Sequence, residues 1–297
     1  MAITAQYVVD RIRQNFASSW LTTPVDDFIA GKPETEVTGI ATTYAPSLEV
    51  LKNAVAARKN FLISRESPFW ARMNAAGGGT QFQGLPGNWP NGQNFTRQEA
   101  GAAEDDPTLK AKRDYIAANN LVVYRLFANW NAQPVDLQLK GLAKALGWEK
   151  YYKPSATLPA WSKYNGYFEI PPVTLKEAAI QMKKTLGSKS IRIGGNPDTV
   201  VHKAALSHGM YWLPDLQKWY AEPGVDLLVV GEPQWENEIS LYSFDVADSG
   251  QKKGYIVLGQ QVSEEPGCAE MAAWLKPLVP EVTVEHISAG EPCWMPY

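Results

Sequence analysis

Short apolar runs that break off abruptly at charged residues constrain this chain more than any other feature. Leu62-Ile63-Ser64 runs directly into Arg65-Glu66-Ser67-Pro68-Phe69-Trp70. So short an apolar run reads as a buried strand. Open α/β sheets present their ligand-binding groups at the carboxyl ends of such strands. A second stretch of the same form, Gly259-Gln260-Gln261-Val262-Ser263-Glu264-Glu265-Pro266-Gly267, follows the apolar run Tyr255–Leu258. The two stretches are expected to face each other across one site.

The remaining pattern fits an α/β protein. Thr4 can cap a helix that carries Val8, Val9, Ile12 and Phe16 on one face, and residues 19–35 read as loop with short structure. Val37–Tyr44 is rich in β-branched residues, Ser47 can cap a helix, and Phe61–Ser64 follows as a strand. That β-α-β order implies parallel pairing. Helices are expected over 108–119 and 136–147, around a strand at 121–126 that ends in Phe127-Ala128-Asn129-Trp130-Asn131. Tyr151–Pro172, with four prolines, reads as a linker.

A second cycle follows. Thr174 and Glu177 form a capping box for a helix that Gly187 stops. Strands are expected at 190–193, 199–206, 225–230, 255–258 and 282–286. Helices are expected over 235–247 and from Pro266, in a first turn, to Trp274 or Leu275. The expected organisation is a first α/β domain over 1–150, completed by 257–297, and a second over 165–256. Residues 71–107, with Gly77-Gly78-Gly79 and no periodicity, are an insertion: a lid over the site or a surface loop.

Composition narrows the function. The chain has 297 residues, enough for one large or two medium domains, and 28 basic against 31 acidic side chains. That balance leaves no electrostatic footprint for nucleic acid or an anionic membrane. No apolar run approaches the ~18 residues of a membrane span. No secretory signal precedes the first helix, so the expected compartment is the cytoplasm, a removed export signal being the alternative. Cys268 and Cys293 do not make a disulfide framework, and His202, His208 and His286 are not grouped at ligand spacing. No Ser or Cys sits in an elbow motif with a His partner.

Polar residues collect at the strand ends: Arg65 and Glu66, Asn129 and Asn131, Glu232 and Glu236, Gln260 and Glu264. Converging carboxylates can hold a hard cation or act as an acid–base pair. Equally, Glu264 and Glu265 can serve a helix N-terminus by charge alone. Arg65 shifts the balance. A guanidinium stays charged, so it can stand in for a metal or bind an anionic group bidentately, or simply bridge to a Glu.

Several stretches, taken in order, resemble one family. Pro33-Glu34-Thr35-Glu36-Val37-Thr38-Gly39-Ile40-Ala41-Thr42-Thr43 is similar to the opening of the NIF-three-like proteins, also called dinuclear-metal-centre hexameric proteins or GTP cyclohydrolase I type 2 homologues. Ser47–Leu51, Leu62–Glu66, Leu121–Arg125, Gly141–Gly147, Gly259–Gly267 and Ala289-Gly290-Glu291-Pro292 continue the match. The resemblance covers nearly the whole chain, least well at 71–107 and 148–172. It implies two α/β domains around a cleft, a dinuclear metal site there, and a homohexameric toroid.

The family's ligand positions map to Arg65, Glu66, Asn131, Gln260 and Glu264, and a nearby family His to Phe127. Every imidazole has gone and one position has become a cation. Imidazole suits zinc, iron, nickel and copper, so the change implies that no such metal is held. Two carboxylates and two amides holding one Mg²⁺ or Ca²⁺ weakly is the alternative.

Three functions follow as expectations. The first is a metal-free member that binds a small polar or anionic ligand, as a binding protein or a metal-independent hydrolase. Arg65, Glu66 and Glu264 would be its working groups, with Trp70, Asn129, Trp130, Glu232 and Gln261 lining the pocket. The second is a metal-dependent hydrolase using Glu66 and Glu264. The third is a non-catalytic oligomeric scaffold. Neither nucleic acid nor membrane is an expected partner.

Overall fold

The computed structural model describes residues 2–23, 25–69, 106–154, 161, 165–234 and 236–296. Trp70 and all but the last two residues of the 71–107 insertion lie outside that set, as does Trp235. Contacts divide the chain into two compact units. Residues 1–133 and 271–289 form one; residues 134–270 and 290–297 form the other.

The first unit opens with helix α1 (Ala5–Gln14), whose first turn is capped by Thr4, the Oγ accepting from Tyr7 N. Strand β1 (Phe28–Ala30) is followed by β2 (Ile40–Thr43), α2 (Leu48–Ala56) and β3 (Phe61–Ser64). Ser47 caps α2 through Val50 N. Helix α3 (Pro107–Ala118), β4 (Val122–Arg125) and the short α4 (Ala128–Asn131) complete this run, and β13 (Val284–His286) returns to the unit late in the chain. The sheet order is β1-β4-β3-β2-β13. β13, β2, β3 and β4 are mutually parallel, and β1 is antiparallel at the edge. The central strands β2, β3 and β4 are buried at every residue. Ala41, Leu62 and Val123 face a core shared with Val50, Leu51 and Ala54 of α2 and Ile116 of α3. The β-α-β expectation therefore holds.

The second unit begins with α5 (Leu137–Ala145), then β5 (Tyr152–Lys153), β6 (Asn165–Thr174), α6 (Leu175–Leu186), β7 (Arg192–Gly194), β8 (Val200–Ser207), β9 (Met210–Tyr211) and α7 (Leu213–Tyr220). It continues through β10 (Leu227–Val230), β11 (Glu232–Pro233), α8 (Glu236–Asp248), β12 (Gly254–Val257) and α9 (Gln260–Leu275). The main sheet runs β5-β6-β8-β10-β12-β7, with β8, β10 and β12 parallel at its centre. Alternation along β10 shows that both faces are covered. Leu227 and Val229 join the core under α5 and α6, whereas Leu228 and Val230 join the core under α7 and α8. The capping box of Thr174 and Glu177 and the left-handed Gly187 stop of α6 are both present.

Three expectations fail locally. The expected linker at 151–172 instead contains β5 and most of β6. Pro171 and Pro172 sit where the pairing of β6 with β8 slips, between Glu169 and Val173, so their missing N–H groups cost no regular ladder bond. The helix expected from Pro266 begins six residues earlier, at Gln260, and keeps Pro266 in its interior. The expected loop at 127–131 is the helical turn α4.

Helix α9 continues past Pro266 because it is clamped there. A Cβ on Gly141 of α5 would lie 2.8 Å from both Pro266 O and Gly267 N, so the two backbones touch. Gly141→Ala is therefore expected to lower unfolding free energy by about 1–3 kcal/mol, the usual cost of overpacking a tight contact. Urea denaturation of the whole chain measures this. Undiminished stability would show that the crossing has slack.

Candidate functional site

Three of the five family ligand positions lie in the first unit and two in the second, and each set is built into its own sheet.

In the first unit the parallel strands β3 and β4 deliver Arg65 and Arg125 at their carboxyl ends. Both guanidiniums are buried, Arg65 to 1% exposure. Both stack on one ring: the Arg65 and Arg125 Cζ atoms lie 4.8 and 5.1 Å from the Phe127 centroid. Arg65 Nη1 donates to Asn131 Oδ1 at 3.0 Å. Arg125 Nε donates to the Arg65 carbonyl at 2.8 Å, and its Nη2 pairs with Glu66 Oε2 at 3.0 Å. The family positions Arg65, Glu66 and Asn131 thus form one hydrogen-bonded cluster, with Arg125 as a member that sequence reasoning had left inside a strand.

The backbone around this cluster is held from several sides. Arg65 N and Glu66 N donate to Thr43 O and Tyr44 O, continuing the β2–β3 ladder beyond the strand. Ser64 Oγ donates to Glu66 O at 2.8 Å. Lys112 of α3, 3% exposed, donates to Pro68 O at 2.7 Å, and burial pushes its pKa down to about 8. On the other side Asp26 caps the short α4. Its carboxylate accepts from the backbone N–H groups of Phe127, Ala128 and Asn129 at 2.7–2.8 Å.

Two expected pocket residues turn out to be framework. Asn129 is fully buried, its amide joined to Leu21 N, Leu21 O and Asp26 Oδ2. Trp130 is 2% exposed and meets Trp274 edge-on at 5.5 Å. The physical reason is the same for both: the helical turn α4 points them into the unit's core, where a loop could have left them at a surface.

In the second unit Gln260 and Glu264 sit one turn apart on α9, and the Gln260 amide approaches Glu264 Oε2 at 3.5 Å. Glu264 is 2% exposed, Gln261 is partly buried, and Glu232 is exposed on β11. The residue that sequence spacing missed is His208, immediately after β8. It is 3% exposed. Its Nδ1 lies 3.1 Å from Glu264 Oε1 and its Nε2 lies 2.9 Å from Asp136 Oδ2. Asp136 uses its other oxygen to cap α5, accepting from Gln138 N and Leu139 N.

Close approach of two strand ends and the first turn of α9 makes this possible. A Cβ on Gly231, after β10, would lie 2.2 Å from Gly209 O and 2.5 Å from Ser263 Oγ. Gly209 has φ +73°, and a Cβ there would meet Glu264 Oε1 at 3.2 Å. Ser263 Oγ accepts from Gly209 N at 3.0 Å and donates to Gln260 O at 2.7 Å, tying β8 to the first turn of α9.

These donors do not fit a pair of transition metals. The Asn131 oxygen takes a guanidinium N–H, Gln260 is an amide, and an always-charged Arg65 stands where the resemblance would place a ligand. Among the described residues no group of three or more His, Cys, Asp and Glu side chains can hold a metal ion. Among those residues, too, no helix is long and apolar enough to cross a membrane.

Two α/β units, each with polar groups at the carboxyl ends of parallel strands, define the class. The comparisons narrow it. The chain is similar over 99% of both lengths to protein SA1388 of Staphylococcus aureus, at 15% identity and a TM-score of 0.65. It resembles a Bacillus cereus protein related to NIF3 at 13% identity and a TM-score of 0.62, covering 100% of this chain and 99% of that one. It also resembles protein ybgI, described as of unknown function, at 19% identity and a TM-score of 0.65, covering 98% of this chain and 100% of that one. No protein-family model matches the sequence, and no curated protein does. At these identities the likeness is one of fold: the chain carries the fold of these proteins along its whole length, the fold that the motif resemblance implies.

The electrostatics of His208 give a pH test. Burial disfavours its charge, but Asp136 and then Glu264 outweigh that, and its pKa is pushed up to about 9. A raised folded-state pKa adds stability that is full below the unfolded value of ~6.5 and lost as pH climbs through the folded one. Unfolding free energy should therefore fall between about pH 6.5 and 9, by up to a few kcal/mol. His208→Gln should flatten that slope, and an equal slope in both proteins would contradict the assignment.

Proposed function

We propose that the first unit's strand-end cluster binds a small anionic ligand, a carboxylate or a phosphate, and that the family's metal pair has no counterpart here. The observation that carries this reading is the pair of buried guanidiniums, Arg65 and Arg125, at the carboxyl ends of adjacent parallel strands and on one aromatic face. That is where open α/β sheets bind ligands. A guanidinium cannot neutralise itself on burial, and its planar fork matches two oxygens of one anion. Glu66 supports the geometry by holding Arg125, and Asn131 by holding Arg65. Loss of imidazole at the mapped positions removes the ligands that suit zinc, iron, nickel and copper.

The reading predicts binding without added metal. Inorganic phosphate and succinate, compared at matched ionic strength with chloride, are the probes. At least one should raise the melting temperature of the wild-type chain in a saturable way. Arg65→Gln should weaken that apparent affinity at least tenfold, the scale of one lost charge-assisted pair. Equal shifts in the two proteins, or shifts only in the presence of a divalent metal, would overturn it.

A further inference from the structure

We infer that His208 is a built-in cation of the second unit, holding Glu264 and Asp136 where the NIF3-like resemblance would place a metal at Glu264. This goes beyond the anion-binding reading and does not rest on it, since none of Arg65, Arg125 and Phe127 takes part.

A carboxylate oxygen without a proton only accepts. His208 presents one ring nitrogen to Glu264 at 3.1 Å and the other to Asp136 at 2.9 Å. Between two ionised carboxylates, a neutral imidazole with one N–H and one lone pair would set that lone pair against an oxygen. An imidazolium donates at both. The side chains of Asp136 and Glu264 are 10% and 3% exposed, so little water screens their mutual repulsion. A cation between them removes it.

The surroundings fix this arrangement. Asp136 is anchored by the first turn of α5 and Glu264 lies on α9, while the glycine at 209 leaves its oxygen room. Ser263 ties the same turn of α9 to the backbone beside His208. Gln260 adds an amide N–H on the far oxygen of Glu264. The carboxylate that a metal would need is thus already served by donors from its own unit.

The test uses the whole chain with Mn²⁺ alone as probe. Wild-type protein at neutral pH should show no Mn²⁺-dependent rise in melting temperature. His208→Ala removes the cation but keeps both carboxylates; it should melt lower and regain stability on adding Mn²⁺. That gain should vanish in His208→Ala/Glu264→Gln. Should the variants fail to fold, nitrogen-15 NMR of labelled wild-type protein decides. Both ring nitrogens of His208 should carry protons at neutral pH. A wild-type shift with Mn²⁺ that Glu264→Gln abolishes, or one unprotonated ring nitrogen, would overturn the inference. Failure of phosphate or succinate to bind would leave it standing, and failure here would leave the Arg65 reading standing.

Discussion

Arg65 is a permanent positive charge buried at the end of a parallel strand, and the first unit is arranged around it. A charge that cannot be shed must be met by dipoles, acceptors or an aromatic face, because leaving it bare in a protein interior is costly. The face of Phe127 and the Asn131 oxygen supply part of that. Arg125 gives the same ring a second cation and donates to the Arg65 carbonyl and to Glu66. The backbone beneath is fixed by the β2–β3 ladder and by Lys112, so the guanidiniums are held by structure and not by long flexible stems.

The second unit solves the mirror problem. Two buried carboxylates, one capping α5 and one on α9, are drawn together by the close approach of β8, β10 and the start of α9. His208 lies between them. Each unit thus sets side chains of opposite sign against one another.

Much of the fold is legible because it is local. The caps at Thr4, Ser47 and Thr174 and the left-handed Gly187 are signals confined to four or five residues, and each element starts or stops where they place it. The cluster of Arg65, Glu66 and Asn131 followed from strand-end logic and resemblance. The failures share a cause, which is that tertiary contact overrode a local signal. Prolines argued against β6, yet a slip in pairing accommodates them. Pro266 looked like a first-turn residue, yet burial of Val262, Ser263 and Glu264 extends α9 ahead of it. His208 gave almost no signal. Its partners lie 72 residues before it and 56 after it, so only the sheet brings them together. The one available hint was a His-Gly pair one residue beyond the apolar run Ala204–Leu206.

The central claim is that protein cations stand where the fold's resemblance would place metals. Elemental mass spectrometry of protein produced in medium supplemented with zinc, iron, manganese and nickel, and purified without chelators, tests it most directly. The account predicts metal far below one ion per chain. A near-stoichiometric content of any of these metals, lost on replacing Glu66 or Glu264 by Gln, would contradict it.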